Sequence, residues 1–214
     1  MMKSIRKTLY RARLAVTTLA NDGRGVAAIE FAMLLPIMLM LFFGTVIFSS
    51  GIAANRKVTL MAQTFSNLVS QNYAVTGVQL QNFFNADAAI MTPYDSTMTS
   101  AIISELYIDP TTLIPKVEWS LVYNGTGVPV ASQLSAHSAG NPLSPNPVPG
   151  SLAVPGTYLI YSEIQYLFTA PAAGAMGFMR NGVTMKDVGY TRPRQSTCVI
   201  YPTPVSGALP ACPQ

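Results

Sequence analysis

Residues 24–51 read RGVAAIEFAMLLPIMLMLFFGTVIFSSG, and this stretch decides the fold. From Phe31 to Asn55 the chain contains no charged residue. That length is sufficient for one bilayer crossing at a rise of about 1.5 Å per residue. One carboxylate, Glu30, lies at the N-terminal end of the apolar run. The pattern therefore predicts a transmembrane helix, which we place at residues 26–54.

The positive charge of the chain is concentrated before this helix. Residues 1–25 contain six basic side chains and one acidic one, a net charge of +5, whereas residues 26–214 contain seven basic and eight acidic ones, a net charge of −1. The positive-inside rule places such a basic leader in the cytoplasm and the C-terminal part outside it. A charge confined to a leader does not indicate a nucleic-acid-binding surface. The basic residues of this leader are Lys3, Arg6, Lys7, Arg11, Arg13 and Arg24.

The apolar run differs from an ordinary secretory signal. Its length exceeds the roughly 7–15 residues of a signal-peptide core, and no convincing small-residue cleavage site follows it. We therefore expect the helix to be retained in the mature protein.

The residues from Gly25 to Phe31, GVAAIEF, resemble the class III signal of type IV pilins. With Leu35-Pro36 and Phe43-Gly44 downstream, the stretch resembles the TadE-like minor pseudopilins of tight-adherence (Tad/Flp) pilus systems. The resemblance implies that a prepilin peptidase cuts between Gly25 and Val26 on the cytoplasmic side of the membrane. It also implies a role in assembly for Glu30, fifth in the mature chain, and for Phe31.

Physical chemistry supports a special role for Glu30. A charged side chain costs about 2.5–3.5 kcal/mol at the centre of a membrane helix, and less near the interface, so such a residue normally has a partner. Cleavage would leave the amine of Val26 one helical turn from Glu30. A neighbouring helix, shifted along its axis, could offer its own amine to this carboxylate and fix the register between subunits. The alternative is that Glu30 faces headgroup water and that Gly25 is incidental.

The helix is expected to continue to about Asn72. Residues 55–92 are predicted to contain its amphipathic continuation and a second helix at 78–91. The apolar positions of the continuation recur at the helical period and comprise Val58, Met61, Ala62, Phe65, Leu68 and Val69.

Beyond residue 92 the hydrophobic period changes to two, which is typical of strands. We predict a small antiparallel sheet in a head formed by residues 93–214, and hence a membrane-anchored α+β, pilin-like protein. The strands are predicted at residues 101–108, 116–123, 157–168, 183–190 and 197–201. Residues 125–155 are rich in Pro, Ser, Gly and Ala, and form either an interaction loop or a poorly ordered one; mobility is the expectation.

Two features near the C-terminus have more than one interpretation. The segment Arg192-Pro193-Arg194 resembles one found near the end of TadE-like domains, where it would contact another assembly subunit. Alternatively, the two arginines cap a sheet edge and pair with a glutamate, the candidates being Glu105, Glu118 and Glu163. The two cysteines, Cys198 and Cys212, are expected to form a disulfide if the head faces an oxidising compartment, although free thiols remain the alternative.

The sequence offers no catalytic motif. His137 is the single histidine and lies in the Ser/Pro-rich loop, without local support for nucleophilic catalysis. There is no metal-ligand spacing and no glycine-rich phosphate-binding loop. Paired carboxylates remain possible, but nothing in the sequence selects a pair. We expect no enzymatic activity, no cofactor, no metal, no small-molecule substrate and no nucleic-acid partner.

The resemblance to TadE-like proteins implies a minor pseudopilin in the biogenesis of a type IVb (Flp/Tad) pilus for surface adherence. Its expected partners are the inner membrane, a prepilin peptidase and other pilus assembly proteins or pilins. The expected location is the bacterial inner membrane, as a single-pass protein with a periplasmic head, with incorporation into or release with a pilus left open. The alternative is an uncleaved single-pass adaptor with an extracytoplasmic interaction domain. A membrane-tethered enzyme is a third, weaker alternative.

Overall fold

The computed structural model of the chain describes residues 24–169, 182–201 and 212. The chain divides into two compact units, Met1–Phe48 and Ser49–Gln214. The predicted leader, apart from Arg24 and Gly25, lies outside the described residues. The described helices and strands are α1 (Arg24–Ser70), α2 (Gly77–Ala88), β1 (Thr99–Ile108), β2 (Pro115–Asn124), β3 (Tyr158–Phe168) and β4 (Val183–Thr191), with short 3₁₀ helices at Ala89–Met91, Ser96–Met98 and Val130–Ser132.

The second unit is built on the last part of α1, residues 49–70. The predicted apolar stripe is buried there, except that Leu68 is half-buried. An apolar stripe at the helical period provides most of the stability of such a helix by packing against its neighbours. The fully buried members of the stripe are Val58, Met61, Ala62, Phe65 and Val69.

Helix α2 begins at a capping box. The side chain of Thr76 accepts a hydrogen bond from the backbone N–H of Gln79, and the Gln79 side chain accepts one from the backbone N–H of Thr76. These bonds satisfy donors that a helix start otherwise leaves free. The buried face of α2 carries Leu80 and Phe84, and the Phe84 ring packs edge-to-face on Phe65 with centroids 6.2 Å apart.

The four described strands form one antiparallel sheet in the order β2-β1-β3-β4. Ser104 of β1 lies opposite Ser120 of β2 and Tyr161 of β3, which fixes the register of the central strands. A bulge between Glu105 and Leu106 leaves Glu118 without a partner across the β1–β2 pair. The predicted fold class, a long apolar N-terminal helix followed by a small antiparallel sheet, is confirmed.

One face of the sheet packs against α1 at very short range. The Ser162 hydroxyl of β3 donates to the carbonyl of Ala62 at 2.5 Å, and the hydroxyls of Ser66 and Thr191 lie 2.9 Å apart. A Cβ placed on Gly189 would lie 2.2 Å from the Ala62 carbonyl oxygen. Helix and sheet therefore meet backbone to backbone at Gly189, where no side chain fits.

The opposite face of the sheet is covered by the loop of residues 125–155. Leu143 and Val148 of the loop are buried in a hydrophobic cluster with sheet residues Leu106, Ile108, Val117, Leu159 and Tyr161. The loop also pairs with β2, because Val117 donates its backbone N–H to Asn141 and Leu143 donates its own to Pro115. The expectation of a mobile loop is therefore wrong for this structure: its few apolar side chains anchor it to the sheet.

The predicted fifth strand at residues 197–201 is not formed. Ile200 makes only an isolated parallel bridge to Ala74, with backbone hydrogen bonds from Ile200 to Tyr73 (3.0 Å) and from Val75 to Ile200 (2.9 Å). The segment lies beside the short connection between α1 and α2 rather than beside a strand, so no ladder can extend from the bridge.

Candidate functional site

The first part of α1, residues 25–46, is exposed at every position. Its large apolar side chains are strongly exposed, with Met33 at 69% and Met40 at 71%. A contiguous apolar surface of this kind is rare on soluble proteins and marks contact with lipid or with other apolar helices. By length and composition α1 is a candidate membrane span. A single N-terminal apolar helix indicates membrane anchoring.

Pro36 lies inside this helix without ending it. Membrane helices tolerate proline because neighbouring groups satisfy the backbone carbonyl that it leaves free. Farther along, the hydroxyl of Thr45 donates to the carbonyl of Leu41 at 2.8 Å, so this polar side chain is satisfied within its own helix.

The predicted processing bond, Gly25–Val26, lies in the first turn of α1. No heavy atom lies within 4 Å of a Cβ position on Gly25, and Val26 is 55% exposed. The first backbone N–H groups of a helix have no intrahelical partner, and helix ends fray. Among the described residues, both residues of the bond are therefore exposed, and they lie near the N-terminal end of α1.

Glu30 follows one helical turn after Val26, on the same face of α1. Its side chain is exposed and forms no hydrogen bond or ion pair with the part of the chain that the structure describes. Its neighbours Ile29 and Phe31 are 59% and 60% exposed. Between Gly25 and Asn55 Glu30 is the only charged residue. The structure thus presents one unpaired carboxylate on an apolar helix.

Arg192 and Arg194 are exposed on the segment that follows β4. The backbone N–H of Arg194 donates to the carbonyl of Ser70 at 2.9 Å, which fixes this segment at the end of α1. The proposed pairing with a glutamate is wrong, since the ion pairs found among the described residues are Lys116–Asp109 and Lys186–Glu163. Both guanidinium groups point to solvent; the prediction of a subunit contact stays a prediction.

His137 lies within hydrogen-bond distance of two serines of the sheet, although the sequence indicated no catalytic partner for it. Its Nδ1 lies 3.1 Å from the Ser104 hydroxyl, which donates to the Ser120 hydroxyl at 2.8 Å; the His137 backbone N–H donates to the same Ser120 oxygen at 3.0 Å. Burial lowers the pKa of His137, although the charge of Glu163 opposes this effect. Ser104 has no exposed surface, so a substrate cannot reach its hydroxyl. The arrangement secures the loop to the sheet.

Two glutamates of the second unit interact electrostatically. Glu105 is 1% exposed, and burial raises its pKa to about 8, with a further contribution from the charge of Glu118. Burial also raises the pKa of Glu118. Both carboxylate oxygens of Glu105 are occupied, one by the Trp119 Nε1–H (2.9 Å) and one by the Val199 N–H (2.6 Å). Because Glu105 is buried and both of its carboxyl oxygens already accept hydrogen bonds, this side chain offers no oxygen to a substrate.

Cys198 and Cys212 form a disulfide, as predicted. Within residues 24–169, 182–201 and 212, no three His, Cys, Asp or Glu side chains are grouped as metal ligands. The buried position of Glu105 was not predicted from the sequence. The signal in the sequence was limited to a charged residue within the predicted strand at residues 101–108.

Comparison with known protein families gives one informative match. Residues 25–64 match the family model described as TadE-like protein. Comparisons with curated proteins and with solved structures give no match. The matched segment contains the predicted processing bond, Glu30 and the start of the buried stripe. The resemblance read from Gly25 to Gly44 is thereby confirmed: over residues 25–64 this chain is similar to TadE-like proteins.

Proposed function

We propose that this protein is a minor pseudopilin, made as a bitopic membrane precursor and used in the assembly of a Tad-type pilus. One observation carries the proposal: Glu30 has no partner among the described residues and lies on the first part of α1, residues 25–46, which is exposed at every position and otherwise uncharged, within the segment that matches TadE-like proteins. A charge in such surroundings normally has a partner. The partner that suits it best is the N-terminal amine of a neighbouring processed subunit.

Processing at Gly25–Val26 would create that amine. Each processed chain would then carry a positive charge at Val26 and a negative charge at Glu30, one helical turn apart. Two such helices, offset along their axes, would pair the amine of one with the carboxylate of the next. Neutralising both charges in apolar surroundings would fix a single axial register, which a filament or its priming complex requires.

The orientation follows from charge. The basic residues of the leader favour a cytoplasmic N-terminus, and Arg56 and Lys57 at the far end of the apolar run are too few to reverse this bias. Lys57 is also engaged, since its ammonium donates to the carbonyls of Ile90 and Thr92 at 2.7 and 2.8 Å. The second unit would then face the periplasm, where the Cys198–Cys212 disulfide is stable.

The role that we propose for the second unit is binding rather than catalysis. His137 is hydrogen-bonded to Ser104 and Ser120 of the sheet. Glu105 is buried, and both of its carboxyl oxygens already accept hydrogen bonds. Arg192 and Arg194 present exposed cations on a fixed segment, and this makes them candidates for contact with an acidic surface of another assembly protein.

An uncleaved envelope adaptor is the second candidate, because the same anchor would serve it. The two functions differ in what Glu30 does.

Replacing Glu30 by Ala should abolish or strongly reduce piliation, measured by electron microscopy of cells that lack the wild-type copy, whereas membrane insertion persists. Glu30→Asp keeps the carboxylate and serves as the matched control, with partial or full piliation expected. Normal piliation with Glu30→Ala would contradict the register role and favour the adaptor.

A further inference from the structure

An open cleft of about 230 Å³ is lined by Val117 of β2 and by residues of the loop between His137 and Ser144. This is far more room than one water molecule needs, and somewhat less than the roughly 300–1,000 Å³ of most ligand pockets. A cleft of this size suits a small molecule or one unit of a larger one. Its polar lining consists of His137, Ser138, Asn141 and Ser144.

The walls of the cleft are fixed to the sheet. The backbone N–H of Val117 donates to the Asn141 carbonyl at 3.0 Å, and the Gly140 N–H donates to the Val117 carbonyl at 2.7 Å. Leu143 is buried, and its N–H donates to the Pro115 carbonyl at 2.9 Å. The cleft is therefore preformed, as ligand pockets usually are.

The hydrogen bonds around His137 determine which ring nitrogen carries the proton. The Ser120 Oγ accepts from the Ser104 hydroxyl at 2.8 Å and from the His137 backbone N–H at 3.0 Å. A hydroxyl has one proton, so Ser104 has none left for the His137 Nδ1, which lies 3.1 Å away. Nδ1 must therefore carry the proton and donate it to Ser104, whereas Nε2 keeps its lone pair.

The polar groups of the cleft are free to bind a ligand. Within the described ranges, the His137 Nε2 has no hydrogen-bond partner, and the same holds for the side chains of Ser138, Asn141 and Ser144. No lysine or arginine is found among the described residues that line the cleft. Burial lowers the pKa of His137, although the charge of Glu163 opposes this effect, so the ring is neutral at pH 7.

These properties select the chemistry of the ligand. A neutral imidazole with its lone pair on Nε2 accepts a hydrogen bond and offers no positive charge to a phosphate or a carboxylate. The serine hydroxyls and the Asn141 amide can both donate and accept, and Val117 and Leu143 add apolar contact. A neutral molecule that combines several hydroxyl groups with an apolar face fits this lining.

We propose that the cleft binds a neutral, hydroxyl-bearing ligand of about the size of one sugar unit, with a ligand hydroxyl donating to the His137 Nε2. The ligand is bound and not converted, because the Ser104 hydroxyl beside His137 is buried. The inference goes beyond the proposed function and does not depend on it, since every residue that it uses belongs to the second unit.

His137 is the single histidine, so its ring nitrogens give isolated NMR signals in protein labelled at histidine. We expect the full-length protein, in a detergent without a sugar headgroup, to show the shifts of the Nδ1–H tautomer at pH 7. Glucose and N-acetylglucosamine serve as the probes, and either should shift the Nε2 signal saturably. Acetate should leave the signal unchanged.

Ser104→Ala removes the acceptor that holds the proton on Nδ1. We expect a larger population of the Nε2–H tautomer and binding of the probes weakened by up to about tenfold, the effect of one lost hydrogen bond. Ser100→Ala is the matched control, because Ser100 is equally buried on β1 and its hydroxyl has no partner among the described residues. This variant should keep both the tautomer and the affinity.

Two results with the wild-type protein would overturn the proposal, whether or not the variants fold: an Nε2–H tautomer, or the absence of a saturable shift with both sugars. A shift produced by acetate or by Zn²⁺, but by neither sugar, would refute the assigned class of ligand. Equal affinity of folded Ser104→Ala and Ser100→Ala would show that the tautomer does not govern binding.

Discussion

At the residue scale, the packing of the second unit depends most sharply on Gly189. The backbone of β4 touches the backbone of α1 there, and the Ser162 hydroxyl fastens the contact by donating to the Ala62 carbonyl. A methyl group on Gly189 would overlap with backbone atoms, which cannot turn aside as the end of a flexible side chain can. The helix must shift to admit it.

Gly189→Ala should therefore lower the free energy of unfolding by about 1–3 kcal/mol, the usual cost of overpacking. Gly150→Ala is the matched control, because no heavy atom lies within 4 Å of its Cβ position and its φ is not positive. Denaturant unfolding of the two variants in the same detergent measures the difference. Equal stability of the two variants would show that α1 and β4 do not approach this closely.

Residues on a periodic pattern could be predicted from the sequence, whereas Gly189 could not. The stripe from Val58 to Val69 follows from helical spacing alone, since the core side of an amphipathic helix is a local property. The contact between Ala62 and Gly189 joins positions far apart in the chain and depends on how helix and sheet dock. Glu105 was missed for the same reason, because its bonds come from Trp119 and Val199.

At the scale of elements, the loop of residues 125–155 acts as a third layer on the sheet. Its composition predicted mobility, yet a few anchors suffice to hold it. One anchor is the Tyr190 hydroxyl, which donates to the Pro147 carbonyl at 2.6 Å beside buried Val148.

Tyr190→Phe removes this hydrogen bond and keeps the ring. We expect a loss of about 1 kcal/mol in the free energy of unfolding and faster hydrogen exchange at Val148 and Leu143. Tyr73→Phe is the control, because Tyr73 is 48% exposed and its hydroxyl has no partner among the described residues. If both variants exchange at the wild-type rate, this anchor does not hold the loop.

Element boundaries were predicted well wherever hydrophobic period and turn residues agree. The four strands of the sheet and both helices lie close to their predicted ranges. The error was at residues 197–201, where a short β-prone run has only the connection at residues 73–75 beside it. Strand propensity describes a side chain that fits a pleated surface, and it does not supply a neighbouring strand.

At the scale of the whole molecule, the account depends on the first unit. The match to TadE-like proteins covers residues 25–64, which include the exposed apolar helix and Glu30. The charge distribution, the apolar run and the Gly25–Phe31 motif are all local in sequence, and for that reason they could be recognised without a structure. The surfaces by which the second unit would bind other proteins depend on tertiary contacts and carry no such pattern.

The central claim is that the protein is a processed pilin-type subunit, and intact-mass measurement of the protein purified from its own membranes tests it most directly. The account predicts a mature chain that begins at Val26 and retains the disulfide. Because a prepilin peptidase cuts on the cytoplasmic side, this result would also support the proposed orientation. A chain that still begins at Met1 in cells with an active prepilin peptidase would contradict the account.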